Sequence, residues 1–132
     1  MVTQVTSGRV KKFEDLEVWQ LGERLVLLAY KLTGSFPEEE KYGLSSQIRR
    51  AAISVPANIA EAFGRYHYRD RLQFLLNARG SLYELRSHYL VALELGFIPD
   101  GSSDFFEALI DELGIKLNNL INVTRRNSSL KA

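Results

Sequence analysis

Residues 44–65 carry an apolar pattern that predicts one long helix with a proline, Pro56, in its middle. At about 100° per residue, the side chains of this stretch fall into three stripes. The first is typical of a core-facing surface and comprises Leu44, Ile48, Ala52, Val55, Ile59 and Phe63. The second is mostly small (Ser46, Ile53, Ala57, Ala60 and Gly64), and the third is polar (Gln47, Arg50, Ser54, Asn58, Glu61 and Arg65). A surface helix needs only an apolar and a solvated face, so three stripes indicate neighbours on more than one side.

Pro56 has no amide hydrogen to donate to the carbonyl of Ala52, and its ring clashes with the preceding helical turn. It also disfavours the helical conformation for Val55, the residue before it. The sequence therefore predicts a kink or a local break at Pro56. Because the apolar period continues in the same phase beyond Pro56, we expect one bent helix rather than two separate helices.

The polar stripe contains Glu61, which has Asn58 three residues before it and Arg65 four residues after it. Helical side chains meet at these spacings. One interpretation is a solvated stripe, in which an ion pair contributes roughly a few tenths of a kcal/mol. The other is a hydrogen-bonded seam between helices, in which Glu61 pairs with Arg65, Arg79 or Arg50 inside the protein or between subunits. The sequence leaves both interpretations open.

Three further helices are predicted from the same helical period, at about 15–33, at about 68–95 and from Asp104 onward. Asp15 is the expected N-cap of the first of them. Glu107 follows Asp104 at the spacing of a capping box. The proline and three acidic residues at 37–40 predict a short helical turn.

Four amphipathic helices with short connections and no strand pattern predict an all-α fold, an antiparallel four-helix bundle of up-down-up-down order. A chain of 132 residues suits a single domain. The bundle is expected at 13–125, after a mobile arm at 1–12 and before a frayed tail at 126–132. The second and third helices carry more apolar and small surface than one bundle interior needs, so we expect a homo-oligomer.

The composition excludes several classes of protein. The absence of Cys rules out disulfides and thiolate chemistry and fits a reducing compartment. No apolar run is long enough to cross a bilayer, and the polar N-terminus lacks a signal-peptide core. We therefore expect a cytoplasmic protein without a membrane segment.

The net charge of +1 hides an uneven distribution along the chain. Residues 44–90 hold seven arginines and three acidic residues, a net charge of +4, whereas the rest of the chain sums to −3. The planar guanidinium group of Arg binds phosphate and carboxylate equally well, so this bias fits either phosphate binding or internal ion pairs. Arg79 and Arg86 lie within the apolar arc of the predicted third helix and are expected to matter for folding.

The sequence carries no pattern typical of catalysis. The two histidines each have one acid at helical spacing, Asp70 after His67 and Glu84 before His88. Two ligands make a poor metal site, and there is no phosphate-binding glycine loop or nucleophile motif. We therefore predict that the protein is not an enzyme and uses no metal or cofactor.

Three separated segments resemble the four-helix-bundle family of 23S rRNA intervening-sequence proteins: FEDLEVW at 13–19, QIRRAAISVPANIAEAFGR at 47–65 and ARGSLYEL at 78–85. The resemblance covers most of 13–125. This bacterial family, whose genes often lie inside insertions in 23S rRNA genes, implies a homopentamer. Its fold is similar to that of the accessory variability protein of diversity-generating retroelements, which binds a reverse transcriptase and RNA.

The resemblance also marks particular positions as the family's motif residues: Arg49, Arg50, Asn58, Glu61, Arg65, Arg79 and Glu84. Six of these are expected to form a structural polar seam, comprising Arg50, Asn58, Glu61, Arg65, Arg79 and Glu84. One departure is Ala62, where the family usually has Gly. A methyl group at this position affects the closeness of a helix contact rather than the fold.

Two functions from different classes follow from these observations. The first is RNA binding through an Arg-rich surface, with Tyr66 and Tyr68 available for stacking. Its candidate residues are Tyr66, Tyr68, Arg69, Arg71, Arg49, Arg125 and Arg126. The second is an oligomeric scaffold for a protein partner such as a reverse transcriptase, with the arginines mostly in ion pairs. The near-neutral net charge disfavours a strong nucleic-acid binder, and the salt dependence of RNA binding separates the two functions.

Overall fold

The computed structural model describes residues 10–131, and its regular structure is entirely helical. The α-helices are α1 at Glu17–Thr33, α2 at Leu44–Phe63, α3 at Tyr68–Glu94 and α4 at Asp104–Lys131. Short 3-10 turns lie at Phe13–Asp15 and at Glu38–Glu40, the second of which confirms the turn predicted there. The all-α prediction is therefore confirmed. Of the arm predicted at 1–12, residues 1–9 lie outside the described part of the chain.

The four helices enclose one hydrophobic core. α2 packs against α1 and α3, and α4 packs against α3 and α1. The largest fully buried side chains come from all four helices: Leu25, Ile48, Val55, Ile59, Leu82, Leu85, Tyr89, Leu113, Leu117 and Ile121. The first stripe of α2 faces this core, with its ends at Leu44 and Phe63 only partly buried, so the core face predicted for this helix is confirmed.

α2 runs without interruption through Pro56, so the expectation of one helix rather than two is confirmed, and no local break occurs at this residue. Pro56 is buried and packs against α1, where it meets Gly22. A Cβ atom placed on Gly22 would lie only 3.2 Å from the Cβ of Pro56. The glycine thus leaves room for the proline ring. Burial of that ring between two helices offsets part of the cost of the missing hydrogen bond.

α1 begins two residues later than predicted, and Asp15 is not its N-cap. Asp15 lies in the 3-10 turn, and Leu16 occupies the cap position without a side-chain hydrogen bond. Two contacts hold the turn against α1. The rings of Phe13 and Trp19 meet edge to face at 5.2 Å, and the Gln20 side-chain amide donates to the Glu14 carbonyl at 2.7 Å.

α4 begins at Asp104 as predicted, but it continues through residues 126–131, which were assigned to a frayed tail. The carboxylate of Glu107 does not serve the predicted capping box. It accepts a hydrogen bond from the hydroxyl of Tyr89 on α3 at 3.2 Å. The same hydroxyl lies 2.6 Å from the Ser103 hydroxyl oxygen, so this buried cluster joins α3 to the start of α4. A long-range contact therefore replaces the local one.

Replacing Tyr89 by Phe is expected to lower the free energy of unfolding by about 1–3 kcal/mol, because the buried Ser103 hydroxyl loses its partner. Urea unfolding near neutral pH measures this loss. Tyr83→Phe is the matched control, since the Tyr83 side chain is 58% exposed. Equal effects of the two substitutions would contradict a special role for the Tyr89 cluster.

The same cluster predicts a pH dependence. Burial raises the pKa of the Tyr89 phenol above its ordinary value of 10, Glu107 and Asp104 raise it further, and the Ser103 bond opposes the rise. The unfolded chain therefore loses this proton first, and stability falls by about 1.4 kcal/mol per pH unit between the two pKa values. In unfolding measured from about pH 9 to about pH 11, Tyr89→Phe is expected to reduce the alkaline loss.

Candidate nucleic-acid interface

The corner between α2 and α3, residues 64–71, is where the structure gathers most of the predicted binding residues. α2 ends at Phe63, and α3 starts at Tyr68 after an extended residue, His67. An open cleft of about 710 Å³ is lined by six consecutive corner residues and one residue of α4: Tyr66, His67, Tyr68, Arg69, Asp70, Arg71 and Ser128. Four of the seven predicted nucleic-acid residues thus share one cleft.

Arg71 is held in a fixed position within the corner. Its Nε donates to the carbonyl oxygen of Arg65 at 2.7 Å. Its guanidinium carbon lies 5.3 Å from the centre of the Tyr68 ring, a cation–π contact. Arg71 also lines the cleft, so a hydrogen bond and a cation–π contact together position its guanidinium there. A guanidinium positioned in this way loses little side-chain entropy when it binds a phosphate.

A second, smaller cavity of about 180 Å³ lies beside the cleft. Arg71 lines both. The other lining residues are mostly apolar and come from all four helices or their ends: Leu16, Ile59, Ala62, Phe63, Leu75, Leu120 and Thr124. Ala62, the residue that departs from the family pattern, is buried here, so its methyl group occupies space at this end of the bundle.

The six residues of the predicted polar seam do not form a single network among residues 10–131. Arg79 donates to the Asn118 side-chain oxygen of α4 at 3.0 Å, whereas Glu84 pairs with His88 on its own helix at 3.3 Å. Arg50 is exposed on α2. Within the single chain these residues do not act as one unit, because α3 presents Arg79 and Glu84 to different neighbours.

A hydrogen-bonded seam does join α2 to α3, but around Ser54. Ser81 of α3 donates to the Ser54 hydroxyl oxygen at 2.8 Å. The Asn58 amide donates to the same oxygen at 3.0 Å and to the Ser54 carbonyl at 2.8 Å. Ser81 was missing from the predicted seam. Its signal in the sequence is its place on the side of α3 that also holds Asn77, Gly80, Glu84 and His88, a side that is mostly small and weakly charged.

Glu61 pairs with Arg65, one of the three predicted partners, at a distance of 2.6 Å. The Arg65 guanidinium carbon also lies 4.6 Å from the centre of the Phe74 ring. Both charged side chains remain about half exposed in the single chain, 51% for Glu61 and 44% for Arg65. Within one chain, Glu61 and Arg65 therefore form a surface ion pair. This corrects the prediction that Glu61 has its arginine partner in the interior of the protein.

Glu61→Gln is accordingly expected to lower the free energy of unfolding by less than about 1 kcal/mol in the single chain. Solvent screens an exposed pair, and the Arg65 side chain keeps its contact with Phe74. Thermal unfolding at low protein concentration measures the effect, with Glu84→Gln as a control on another exposed acid. A loss of several kcal/mol would place Glu61 in a buried interface instead.

Arg49 does not belong to the corner. Its Nε donates to the hydroxyl of Thr33 at 2.7 Å, and its guanidinium carbon lies 4.5 Å from the centre of the Tyr30 ring. It lies fourteen residues before Phe63, the end of α2, which is about 21 Å along the helix. Arg49 therefore links α2 to the end of α1, and its assignment to the binding surface is not supported by its position.

Arg125 and Arg126 are exposed near the end of α4. They border a separate shallow depression together with Asn122 and Ser129. Ser128, between these residues in the sequence, reaches the corner cleft. The two arginines thus add positive charge at the same end of the bundle, next to the cleft rather than inside it.

The two histidines lie in local contacts within residues 10–131. The ring of His67 packs edge to face against Tyr66 at 5.0 Å, and His88 pairs with Glu84 as its spacing predicted. No three His, Asp or Glu side chains in this part of the chain lie close enough to share a metal ion. Nor does it contain a helix with the length and apolar character that crossing a membrane requires.

Comparison with known protein families gives one result that covers most of the chain. The family described as 23S rRNA-intervening sequence protein matches residues 14–119. The match includes the three segments at 13–19, 47–65 and 78–85 almost entirely. Among curated proteins, no significant match was found. With an all-helical fold and a family match over more than half of its length, the chain belongs to the 23S rRNA-intervening sequence protein family.

Proposed function

We propose that the protein is a non-enzymatic, cytoplasmic, homo-oligomeric helical bundle that associates with RNA through the corner between α2 and α3. The observation that carries this proposal is the corner cleft, which combines Arg69 and Arg71 with Tyr66 and Tyr68. Arginines supply phosphate contacts and tyrosine rings supply stacking surfaces, the two elements of single-strand and loop recognition. The family description, which names an rRNA intervening sequence, is compatible with this function.

The distribution of charge favours one end of the bundle for this contact. The loops at the opposite end meet through the Phe36 and Phe97 rings, 5.5 Å apart. Acidic side chains dominate that end: Glu38, Glu39, Glu40, Glu94, Asp100, Asp104 and Glu107. They repel phosphates, whereas the arginines of the corner and of the end of α4 attract them. The field along the molecule thus directs RNA to the corner.

We further propose an up-down-up-down order for the helices. Contacts between successive helices pair early residues of one with late residues of the other. Thr33 meets Arg49 and Gly22 meets Pro56 between α1 and α2. The same holds between α3 and α4, where Arg79 bonds to Asn118, and Arg86 lies 3.4 Å from Asp111.

Assembly into a ring, a homopentamer as the resemblance implies, is part of the same proposal. The outward surface of α2 and α3 supports it, since it exposes the apolar side chains of Ile53 and Val91. Gly80 on α3 has open space beside it, so another helix has room to approach. A ring repeats a weak basic corner once per subunit, and modest contacts then add through multivalency. Light scattering at micromolar concentration is expected to give a multiple of the 15.0 kDa chain mass.

One set of observations favours the second function, an oligomeric scaffold for a protein partner such as a reverse transcriptase. Several arginines are already engaged with side chains of this chain: Arg49, Arg65, Arg79 and Arg86. The surface of α3 and α4 also exposes Tyr83, Leu90 and Ile115, which suit a protein contact. The corner cleft, at about 710 Å³, is larger than the depression of about 500 Å³ beside Arg125 and Arg126, so RNA association through the corner is the function we favour.

Titration of fluorescently labelled RNA at increasing salt concentration tests the proposal. Binding through phosphates is expected to weaken steeply and linearly on a logarithmic plot of affinity against salt. Binding that does not respond to salt, or no binding at low salt, would favour the protein scaffold.

A further inference from the structure

We propose that the corner cleft takes a single-stranded segment of RNA and stacks one unpaired base on the ring of Tyr66. This inference rests on the proposed function and specifies its ligand. The Tyr66 side chain is 87% exposed, although it is a large aromatic group. Its contact within the corner is a perpendicular one with His67, at 5.0 Å and 84°. A perpendicular contact covers at most one face of the ring, so a face of Tyr66 is open to the cleft.

The second corner tyrosine serves a different purpose. The ring of Tyr68 is only partly exposed and already carries the Arg71 guanidinium at 5.3 Å. Its role is to position Arg71, whose Nε is also fixed by the Arg65 carbonyl. The cleft therefore offers one open stacking surface, Tyr66, beside one pre-positioned phosphate ligand. Exposed Arg69 adds a second phosphate ligand two residues away.

This combination selects against a duplex. In double-stranded RNA the base faces are covered by neighbouring bases, so an aromatic ring on a protein surface has no face to stack upon. A flexible single strand turns one base toward Tyr66 and passes its phosphates along Arg69 and Arg71. Base–aromatic stacking of this kind tolerates any base sequence.

The test compares two fluorescent probes, an oligouridine of about 12 nucleotides and an RNA duplex of the same length, by anisotropy at fixed salt. The single strand is expected to bind about tenfold more tightly per probe. Tyr66→Leu should weaken single-strand binding about tenfold and leave duplex binding unchanged, while Tyr66→Phe keeps binding within about twofold. The melting temperature of both variants should stay at the parent value because the side chain is exposed.

Tyr42→Leu is the matched control. Tyr42 is also 87% exposed, but it lies before α2 at the acidic end of the bundle. Its replacement should not change binding. If both probes bind equally and Tyr66→Leu has no effect, single-strand stacking is overturned while RNA association stands. Equal losses from Tyr42→Leu and Tyr66→Leu also overturn it. If neither probe binds, the proposed function fails, and this inference fails with it.

Discussion

Gly22→Leu is expected to lower the free energy of unfolding by about 2 kcal/mol. Gly22 is buried on α1 where the helix meets the ring of Pro56 on α2. Even a Cβ atom there would lie 3.2 Å from the proline Cβ, tighter than an ordinary contact. Pro56 cannot move aside because its ring is part of the backbone, so a leucine forces α1 and α2 apart.

Gly80→Leu provides the control, since a Cβ atom on Gly80 of α3 has no neighbour within 4 Å. In the single chain this substitution replaces a flexible residue by a good helix former, which should add about 0.8 kcal/mol of stability. Chemical denaturation of both variants at low protein concentration gives the comparison. Gly22→Leu as stable as the parent would mean that α1 and α2 do not approach closely at Pro56. Loss of self-association by Gly80→Leu would place that face between subunits.

The core of the bundle was predictable because it depends on a repeated local pattern. Side chains at Ile48, Ala52, Val55 and Ile59 recur at three- and four-residue spacing, and all four are buried. A period of this kind reports which face of a helix is covered, whatever covers it. The same reasoning located α3 and the start of α4 from sequence.

The errors lie where a distant contact outweighed a local preference. One continuous helix was expected at Pro56, but the local break also considered there does not occur, and the ring packs into the space left by Gly22, thirty-four residues earlier. Glu107 was expected to cap its own helix. Its carboxylate instead accepts a hydrogen bond from the hydroxyl of Tyr89, eighteen residues earlier. Neither contact can be deduced from spacing within one helix.

The same difference between local and distant contacts decides which parts of the candidate site were predictable. The corner was found because Tyr66, Tyr68, Arg69 and Arg71 are neighbours in the sequence and a turn keeps them together. Arg49 lies outside the corner, and its sequence neighbours could not show this because its partners, Thr33 and Tyr30, lie on another helix. An arginine that is already bound to its own chain looks the same in sequence as one that faces solvent.

The double substitution Arg69→Ala with Arg71→Ala is expected to weaken RNA binding about tenfold to a hundredfold, since two charged contacts to phosphate are lost. For a single strand, each phosphate contact contributes about 0.7 to the slope of logarithmic affinity against logarithmic salt, so the slope should become shallower by about 1.4. Arg71 also holds the Arg65 carbonyl and the Tyr68 ring at the surface. Its loss should therefore cost less than about 1 kcal/mol of stability.

Lys31→Ala with Lys41→Ala is the matched control, because it removes the same charge from exposed positions at the opposite end of the bundle. If RNA responds only to the net charge of the protein, both double variants lose affinity equally and both salt slopes change alike. If RNA contacts the corner, the lysine variant binds nearly as the parent does and keeps its slope. Unchanged binding by the arginine variant would remove the corner as the site. In that case the arginines serve contacts within the chain, and the exposed apolar surface of α3 and α4 becomes the place to look for a protein partner.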